Sequence, residues 1–248
     1  MKRIVFAIPS YHRPDRQHFA KYLHQLGVRR EDILIGVQDA QDRRDYEKSV
    51  GKIARIVYSE GVGVSFNRNQ LLREEPNTRM WQFDDVTRRI IVHGRDGFKT
   101  IDSSERLCRV LNTAWNYGMS EGASVIGLAK SSNPYFTTEN EYVNHTQVMM
   151  NIGFIRRTPP YNESLRYYED TERACRILKS GGKTLILDFI IGIRTHHNKG
   201  GCFEAYNATE KRQRTLRMLD AMYKDRIRGG KAIRGTYTVR KCPLFGRI

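Results

Sequence analysis

The chain has 248 residues, of which 39% are hydrophobic and 10% aromatic, a composition that is typical of a globular protein and argues against disorder throughout. Its 43 lysines and arginines outnumber its 27 acidic residues, and the net charge of +16 favours a polyanionic partner such as nucleic acid or an anionic surface. The four cysteines form no CxxC pair and no segment reaches the roughly 20 apolar residues of a membrane span, so we expect a cytoplasmic protein without zinc cluster, disulfide framework or membrane insertion.

Strands that alternate with helices are predicted over the first 90 residues. The strands are short apolar runs rich in β-branched residues, a pattern typical of strands that are buried on both faces. They are RIVFAIP, DILIGVQDA, RIVYSE and RMWQF, and the predicted helices include RQHFAKYLHQLG, which ends in Gly27, and GVGVSFNRNQLLREEP, which Pro76 closes. This alternation predicts an α/β fold with a mostly parallel central sheet flanked by helices.

Polar residues follow three of these strands. Ser10 to Arg13 come after the first strand, Asp39 ends the second, and Asp84 and Asp85 follow the fourth. Ligands of parallel α/β sheets bind at the carboxyl ends of the strands. We therefore expect these residues to converge on one crevice.

The remaining chain is less regular. The predicted elements are a helix in SSERLCRVLNTAWNYG, strands in ASVIGLAK and VMMNIGFIRR, a helix in YYEDTERACRILKSGGK, and one long strand or two in TLILDFIIGIR. From Lys211 to Ile248 the chain holds 12 lysines and arginines against Asp220 and Asp225, so this basic tail carries well over half of the net charge.

Asp84 and Asp85 are the first candidates for chemistry. Hard divalent cations bind carboxylate oxygens, and a cation held here can bridge to a diphosphate and stabilise it as a leaving group. The alternative is a solvated turn or a helix cap, where aspartate is common. The pair taken alone favours neither interpretation.

Glu169 and Asp170 form a second acidic pair, at a predicted helix start. In the structural interpretation one of them, or Thr171, caps the helix. In the functional interpretation one of them is a general base that takes a proton from an acceptor hydroxyl.

The segment RTHHNKGG is the third candidate. His196 or His197 can supply a nitrogen ligand to a metal that aspartate already holds, and Lys199 with the glycine backbone beside it can meet phosphate oxygens. A surface loop without a ligand is the alternative.

The segment GVGVSFNRN is the fourth. It lacks the GxGxxG and GxxxxGK[ST] patterns, which argues against a Rossmann dinucleotide site and a Walker P-loop. Asn67, Arg68 and Asn69, near the start of the predicted helix, can still hold a phosphate or a sugar.

The order of these motifs resembles the GT-A family of nucleotide-sugar glycosyltransferases. The matching segments, which span roughly residues 3 to 200, are IVFAIPSYHRP, an aspartate that ends the second strand, G..SFNRNQLL, WQFDD, YYEDTERACRILKSGGK and a late histidine loop. The resemblance implies a GT-A type α/β fold and a metal-dependent transfer of a sugar from a nucleotide-diphospho-sugar to a hydroxyl.

The resemblance also implies a role for each matching residue. Asp85 would bind Mn2+ or Mg2+, His196 or His197 would complete the metal or phosphate contacts, and Asp170 or Glu169 would deprotonate the acceptor. FDDV departs from a strict DxD motif, so the metal ligand stays open between Asp84 and Asp85. The residues implied at the donor, for which we expect a UDP-sugar, are Pro9, Ser10, Tyr11, Arg13, Asp39, Arg68, Asn69, Asp84 and Lys199.

The basic charge narrows the expected acceptor. Saccharide, lipid and protein acceptors do not need +16, whereas the chain resembles the phage enzymes that glycosylate hydroxymethylated pyrimidines in DNA, including the group associated with TET-type oxygenases. An enzyme of this kind reaches its base in the major groove or flips it out. The aromatic residues considered for stacking on that base, or alternatively for the core, are Tyr135, Phe136, Tyr167 and Tyr168.

Three other functions remain open from the sequence: a glycosyltransferase for surface polysaccharide, a sugar nucleotidyltransferase, and a non-enzymatic nucleic-acid-binding protein. The second normally shows a Gly-rich signature near its first strand, which is absent here. We divide the chain into a GT-A domain of residues 1–207, with a nucleotide-sugar half to residue 90 and an acceptor half from residue 91, and a basic helix and tail of residues 208–248.

Overall fold

A computed structural model describes residues 2–76, 78–129, 131, 133–146, 152–154, 158–165, 167–194 and 209–248, apart from the side chains of residues 209 and 211. The amino-terminal half consists of four strands alternating with helices, as the sequence predicts. Its elements are β1 (Ile4–Pro9), α1 (His18–Gln25), β2 (Ile33–Val37), α2 (Ala40–Val50), β3 (Arg55–Tyr58), α3 (Val64–Glu74) and β4 (Arg79–Gln82).

The second half contains shorter strands and several elements that the sequence patterns did not indicate, among them β5, β6, β8 and the strands after the last helix. Its elements are β5 (Thr87–Gly94), β6 (Gly97–Thr100), α4 (Ser104–Ser120), β7 (Val125–Gly127), β8 (Asn140–Val143), β9 (Ile152–Phe154), α5 (Glu169–Lys179), β10 (Thr184–Leu187), β11 (Ile190–Arg194), α6 (Thr209–Met222), β12 (Ile227–Arg228), β13 (Lys231–Ala232) and β14 (Thr238–Lys241).

Nine strands form the central sheet, in the order β14-β8-β10-β7-β9-β4-β1-β2-β3. β4, β1, β2 and β3 pair in parallel, as do β10 and β7, whereas β8 and β9 run antiparallel to their neighbours. Every strand except β8 and β9 therefore points the same way, and the predicted mostly parallel sheet flanked by helices is confirmed.

TLILDFIIGIR forms two strands in different sheets. β10 lies in the central sheet, and after Asp188 and Phe189 the chain enters β11, which pairs with the hairpin of β5 and β6 in a three-stranded sheet. Both segments are buried almost throughout, so their hydrophobic pattern is continuous across the break. β12 and β13 form a separate hairpin.

Side chains of β1 alternate between two apolar layers. Phe6 and Ile8 belong to the large core that also contains Trp81, while Val5 and Ala7 belong to a smaller core with Leu71 of α3. The strand is thus covered on both faces, which explains why its sequence is apolar throughout. In the described part of the chain, no helix combines the length and apolar character that crossing a bilayer requires.

Candidate active site

The loop after β1 holds Asp85 in a buried ion pair. The Ser10 hydroxyl lies 2.8 Å from Asp85 Oδ2, and Arg13 donates a hydrogen bond to Oδ1 over 3.0 Å. Asp85 is only 9% exposed. Burial raises the pKa of Asp85 above its usual value, while the Arg13 charge and the Ser10 hydrogen bond oppose this rise.

Two further buried side chains orient this pair. Gln17 Nε2 donates to Ser10 Oγ (2.8 Å), and the backbone N–H of Arg13 donates to Tyr46 OH (2.9 Å), which lies 2.7 Å from Ser10 Oγ. A hydroxyl has one proton and two lone pairs, so Ser10 accepts from Tyr46 and Gln17 and donates to Asp85. The hydrogen bonds therefore fix the Ser10 proton toward the carboxylate.

Asp84 lies in a different environment from its neighbour. Its side chain is 23% exposed, and its Oδ1 accepts a hydrogen bond from Arg68 over 3.2 Å. In the described part of the chain, Oδ2 has no hydrogen-bond donor. Asp84 therefore presents a carboxylate oxygen at the carboxyl end of β4, whereas both oxygens of Asp85 are engaged.

Arg68 is the buried centre of the second cluster. It lies 3.8 Å from Glu169 Oε1, its NH1 donates to the Tyr161 hydroxyl at 3.4 Å, and its guanidinium lies over the Tyr161 ring. Burial alone lowers the pKa of Arg68, but its interactions with Tyr161, Glu169 and Asp84 outweigh burial and hold that pKa well above its usual value. Arg68 is therefore a permanent cation among carboxylates.

Glu169 and Asp170 open α5 and face this cation. Burial, and then the adjacent Asp170 charge, raise the pKa of Glu169 to about 7 against the opposing effect of Arg68. Burial likewise raises the pKa of Asp170, and Arg68 again opposes the rise. Both groups also sense the charge of Asp84, so Arg68 is shared by three carboxyl groups, and Arg194 adds a second positive charge near Asp84.

Asn69 joins α3 to the segment that leads into α5. Its Oδ1 accepts from the Tyr161 backbone N–H at 2.7 Å, and its Nδ2 donates to the Tyr161 carbonyl at 2.9 Å and to Glu163 at 2.8 Å. These bonds use the whole amide. Asn69 thus fixes the segment before α5 to α3, whereas its neighbour Arg68 contacts the carboxylates.

Asp39 and Tyr11 lie at the rim of the first cluster. The Asp39 carboxylate caps α2 by accepting from the Asp42 N–H at 2.7 Å, and Asp42 in turn binds His12 through the ring nitrogen at 3.1 Å. Potential ligand atoms of His12, Asp39 and Asp42 all lie within 4.8 Å of one another. The Tyr11 ring is 39% exposed and lies against the His12 ring.

The predicted site residues thus form two neighbouring groups joined by the Asp84–Asp85 pair. Pro9 ends β1 and is buried, and the His196, His197 and Lys199 predictions lie outside the described residues. The first group is Ser10, Arg13 and Asp85, the second is Arg68, Asp84, Glu169 and Asp170, and Tyr11 and Asp39 flank the first.

Four side chains at this site were not predicted from the sequence. Tyr46 and Tyr161 are fully buried and look like ordinary core aromatics in the sequence, while Gln17 begins a helix. Arg194, at the end of β11, belongs to the site because its charge interacts with that of Asp84. Burial lowers the pKa of Arg194, and the Asp84 charge opposes this effect. The sequence held a signal for Arg194, because this residue is the first of the candidate segment RTHHNKGG.

The donor set at Asp84 fits a divalent cation. Mg2+ is commonly held by one or two carboxylates together with substrate phosphates and water. Asp84 offers a partly exposed oxygen, and Glu169 and Asp170 place further carboxyl groups nearby. Asp85 fits less well, because binding a metal there would displace Arg13 or Ser10.

No protein-family model and no curated protein matches the chain. Among solved structures, the chain is similar to CMP:2-keto-3-deoxy-manno-octonic acid synthetase complexed with CTP, at 10% identity and a TM-score of 0.42. The alignment covers 88% of this chain and 100% of that chain.

Proposed function

We propose that the chain is a metal-dependent glycosyltransferase that moves a sugar from a nucleotide-diphospho-sugar to a hydroxyl. The observation that carries this proposal is the convergence of Asp84, Glu169 and Asp170 around Arg68, at the carboxyl end of β4 and beside the loop after β1. A partly exposed metal ligand and a carboxyl base are the groups that such a transfer requires.

The donor nucleotide is assigned to the carboxyl ends of β1 and β2. This is the edge at which parallel α/β sheets bind nucleotides. We assign the partly exposed Tyr11 ring to contact with the base, and Asp39 to contact with the base or the ribose. Ser10 and Arg13 act indirectly, because their polar groups hold Asp85.

Asp84 is our choice for the metal ligand, with Asp85 as the residue that positions the strand end beside it. A divalent cation bound there would neutralise charge on the departing diphosphate. Arg194 lies close enough to interact with Asp84 and supplies a further positive charge. The proposed contributions of His196, His197 and Lys199 rest on the sequence alone.

Asp170 is the proposed base, because it is half-buried whereas Glu169 is buried against Arg68. In an inverting transfer, the acceptor oxygen forms a bond to the anomeric carbon while the bond to the diphosphate oxygen breaks. The acceptor proton passes to the Asp170 carboxylate, and the diphosphate leaves with the electron pair. Glu169, with its raised pKa, and Arg68 adjust the charge around this base.

The test is nucleotide release from a panel of UDP- and GDP-sugars with Mn2+, in the presence and absence of duplex DNA that contains hydroxymethylcytosine. We expect release with at least one donor and its loss in Asp84→Asn and Asp170→Asn. Asp96→Asn, which removes an exposed carboxylate on the β5–β6 hairpin, is the matched control. Equal activity in all three variants would contradict the proposed site.

Varying the acceptor in the same assay decides between a DNA acceptor and a saccharide acceptor. Release that depends on hydroxymethylated DNA supports a DNA-base acceptor, whereas release that a saccharide stimulates and DNA does not supports the polysaccharide alternative. The anomeric configuration of the product then identifies an inverting or a retaining reaction.

A further inference from the structure

Helix α6 is docked beside the acidic start of α5. Leu219 and Tyr223 pack with Leu165 and Cys175 in a buried cluster, and the Tyr223 hydroxyl donates to Glu172 over 3.2 Å. α6 is thus fixed to the element that carries Glu169 and Asp170. Apolar packing of Leu219 and Tyr223 thus holds α6 next to the proposed acceptor side.

The β12–β13 hairpin is fixed to α6 in turn. The Asp220 carboxylate accepts hydrogen bonds from the backbone N–H groups of Gly229 (2.7 Å) and Gly230 (3.2 Å). Gly230 has a φ of +71°, and a Cβ built there would lie 2.5 Å from Leu216 and 3.7 Å from Tyr168. The hairpin turn therefore rests against Tyr168, the residue immediately before Glu169.

A set of cations without ion pairs lies on α6, on the β12–β13 hairpin and in the segments on either side of the hairpin. All are exposed, and within the described part of the chain none lies within 4.0 Å of a carboxylate oxygen. They are Arg214, Arg217, Lys224, Arg228, Lys231 and Arg234, which we call the cationic ridge.

Elsewhere on the surface, some exposed cations have acidic partners and others, such as Lys48 and Lys52, have no ion pair among the described residues, so the ridge is set apart by having six unpaired cations within residues 214–234. Arg43 pairs with Glu47, and Arg109 pairs with Glu105, each one helical turn apart. Of the acidic side chains in this region, Asp220 is occupied by the hairpin backbone, and Glu210 and Asp225 form no ion pair with a ridge cation in the described part of the chain. The ridge consequently leaves its positive charge to an external partner.

The ridge reaches the proposed acceptor site through Arg212. Its guanidinium lies over the Tyr168 ring, and its Nε donates to the Tyr168 hydroxyl at 3.0 Å. Tyr168 precedes Glu169 and occupies the left-handed region, with φ of +58°. A polyanion that follows the ridge is therefore led to the residues that begin α5.

The chemistry of the ridge favours a phosphate polyanion. Four of its six cations are arginines, whose planar fork matches phosphate. Exposed apolar side chains on α6 are limited, among the described residues, to small groups and Met218 and Met222, and a helix that lies in a membrane interface buries a larger apolar face. Single strands are typically held on aromatic platforms, which the described ridge lacks.

We infer that the cationic ridge binds the sugar–phosphate backbone of double-stranded DNA and delivers an acceptor base to Asp170. The inference rests on the proposed glycosyltransferase function for its acceptor, and on the unneutralised cations for its binding surface. Duplex DNA carries one charge per about 1.7 Å of helix axis, so a set of arginines and lysines that binds it releases several counterions.

The test is DNA affinity measured by fluorescence anisotropy with a labelled duplex of about 20 base pairs, over about 50 to 200 mM salt. The ridge variant carries Arg214→Gln, Arg217→Gln, Arg228→Gln and Lys231→Gln. Its control loses the same charge at exposed, paired positions: Arg43→Gln, Arg73→Gln, Lys99→Gln and Arg109→Gln.

We expect the ridge variant to lose at least about 100-fold in affinity at moderate salt, with a salt slope that is shallower by about 3. The control should stay within about threefold of the parent at the same salt. Equal losses in both variants, retained affinity in the ridge variant, or tighter binding to phosphatidylserine vesicles than to duplex would overturn the inference.

Hydrolysis of the nucleotide-sugar, measured without DNA, tests the proposed glycosyltransferase independently of DNA binding by the ridge. The ridge variant should hydrolyse the nucleotide-sugar at the parent rate and lose only its stimulation by DNA, whereas Asp84→Asn should lose hydrolysis and still bind DNA. DNA binding by the ridge without any donor hydrolysis would overturn the glycosyltransferase and leave the binding surface standing. Hydrolysis with no ridge-dependent binding would overturn the surface alone.

Discussion

Two adjacent aspartates, identical in chemistry, lie in opposite environments. Asp85 is buried and bonded through both oxygens to Ser10 and Arg13, whereas Asp84 is partly exposed and shares Arg68 with two other carboxylates. A buried, fully paired carboxylate supports structure, and a partly exposed one beside other carboxyl groups is available to a cation. We therefore expect that replacing Asp85 lowers stability, whereas replacing Asp84 lowers activity.

Substitution of each aspartate by asparagine separates these effects. Asp85→Asn leaves the Arg13 charge buried without its partner and should lower the free energy of unfolding by about 3 kcal/mol. Asp84→Asn should change it by less than about 1 kcal/mol, because Arg68 keeps its acidic neighbours, while metal-dependent nucleotide release falls at least about 100-fold. Urea unfolding measures the change in the free energy of unfolding, and the release assay measures the change in metal-dependent nucleotide release. A reversed pattern would assign the metal to Asp85.

Glu169 should make stability depend on pH. Its pKa is about 7 in the folded chain against a usual 4.5, so the folded state retains a proton that the unfolded state loses. Stability is therefore unaffected by this group below about pH 4.5 and falls as pH rises toward 7.

In Glu169→Gln this pH-dependent loss should disappear. Between about pH 5 and about pH 8, the free energy of unfolding of the variant should rise relative to the parent by on the order of 2 kcal/mol. Urea titrations at several pH values measure the difference, with the exposed Glu105→Gln as control. A constant difference across this range would show that Glu169 ionises normally.

At the scale of elements, the contact between α3 and β2 positions the site. Asn67 of α3 donates to the Gly36 carbonyl at 2.8 Å and to the Ser10 carbonyl at 3.2 Å, so one amide joins the helix to two strand ends. A Cβ built on Gly36 would lie 1.9 Å from Asn67 Oδ1. Only glycine allows this approach without displacing the amide.

Gly36→Ala should therefore lower the free energy of unfolding by about 2–3 kcal/mol, because Asn67 has to move. The displaced helix carries Arg68, so nucleotide release should fall as well. Gly94→Ala is the matched control: its built Cβ meets only the Gly97 carbonyl, at 3.8 Å, and it should stay within about 0.5 kcal/mol of the parent. Equal stability of the two variants in urea would show that the contact is loose.

At the scale of the whole molecule, the basic tail contributes to the central sheet. β14 pairs with β8, and its Arg240 binds Glu141, whose side chain is fully buried, and Glu121 of the turn after α4. Tyr117 donates to the same Glu141 oxygen at 2.8 Å. The last strand is therefore joined to the fold by a buried ionic contact as well as by strand pairing.

Arg240→Gln should lower the free energy of unfolding by about 2 kcal/mol, because it leaves the buried Glu141 charge without its cation. The neighbouring Lys241→Gln breaks only an exposed pair with Glu139 and should change it by about 0.5 kcal/mol or less. Thermal and urea unfolding of both variants provide the comparison. Similar losses in the two would mean that the buried ion pair adds nothing to the attachment of β14.

Several strands escaped sequence prediction for a physical reason. β8, β12, β13 and β14 have two to four residues each, and a run of that length cannot show a period of two clearly. β10 and β11 are both buried, so their patterns merge across Asp188 and Phe189 although they belong to different sheets. Long elements with a single buried stripe, such as α4, are visible in the sequence because their periodicity extends over several turns.

The sequence by itself determined the α/β class, the positions of the first four strands and the placement of polar residues at their carboxyl ends, because local periodicity and burial on both faces leave a direct trace in residue order. The tertiary structure alone decided that Asp84 is available and Asp85 is not, that Arg68 serves the acidic start of α5, and that the ridge cations have no acidic partners in the described chain. These properties depend on which residues, distant in sequence, remove water and supply countercharge.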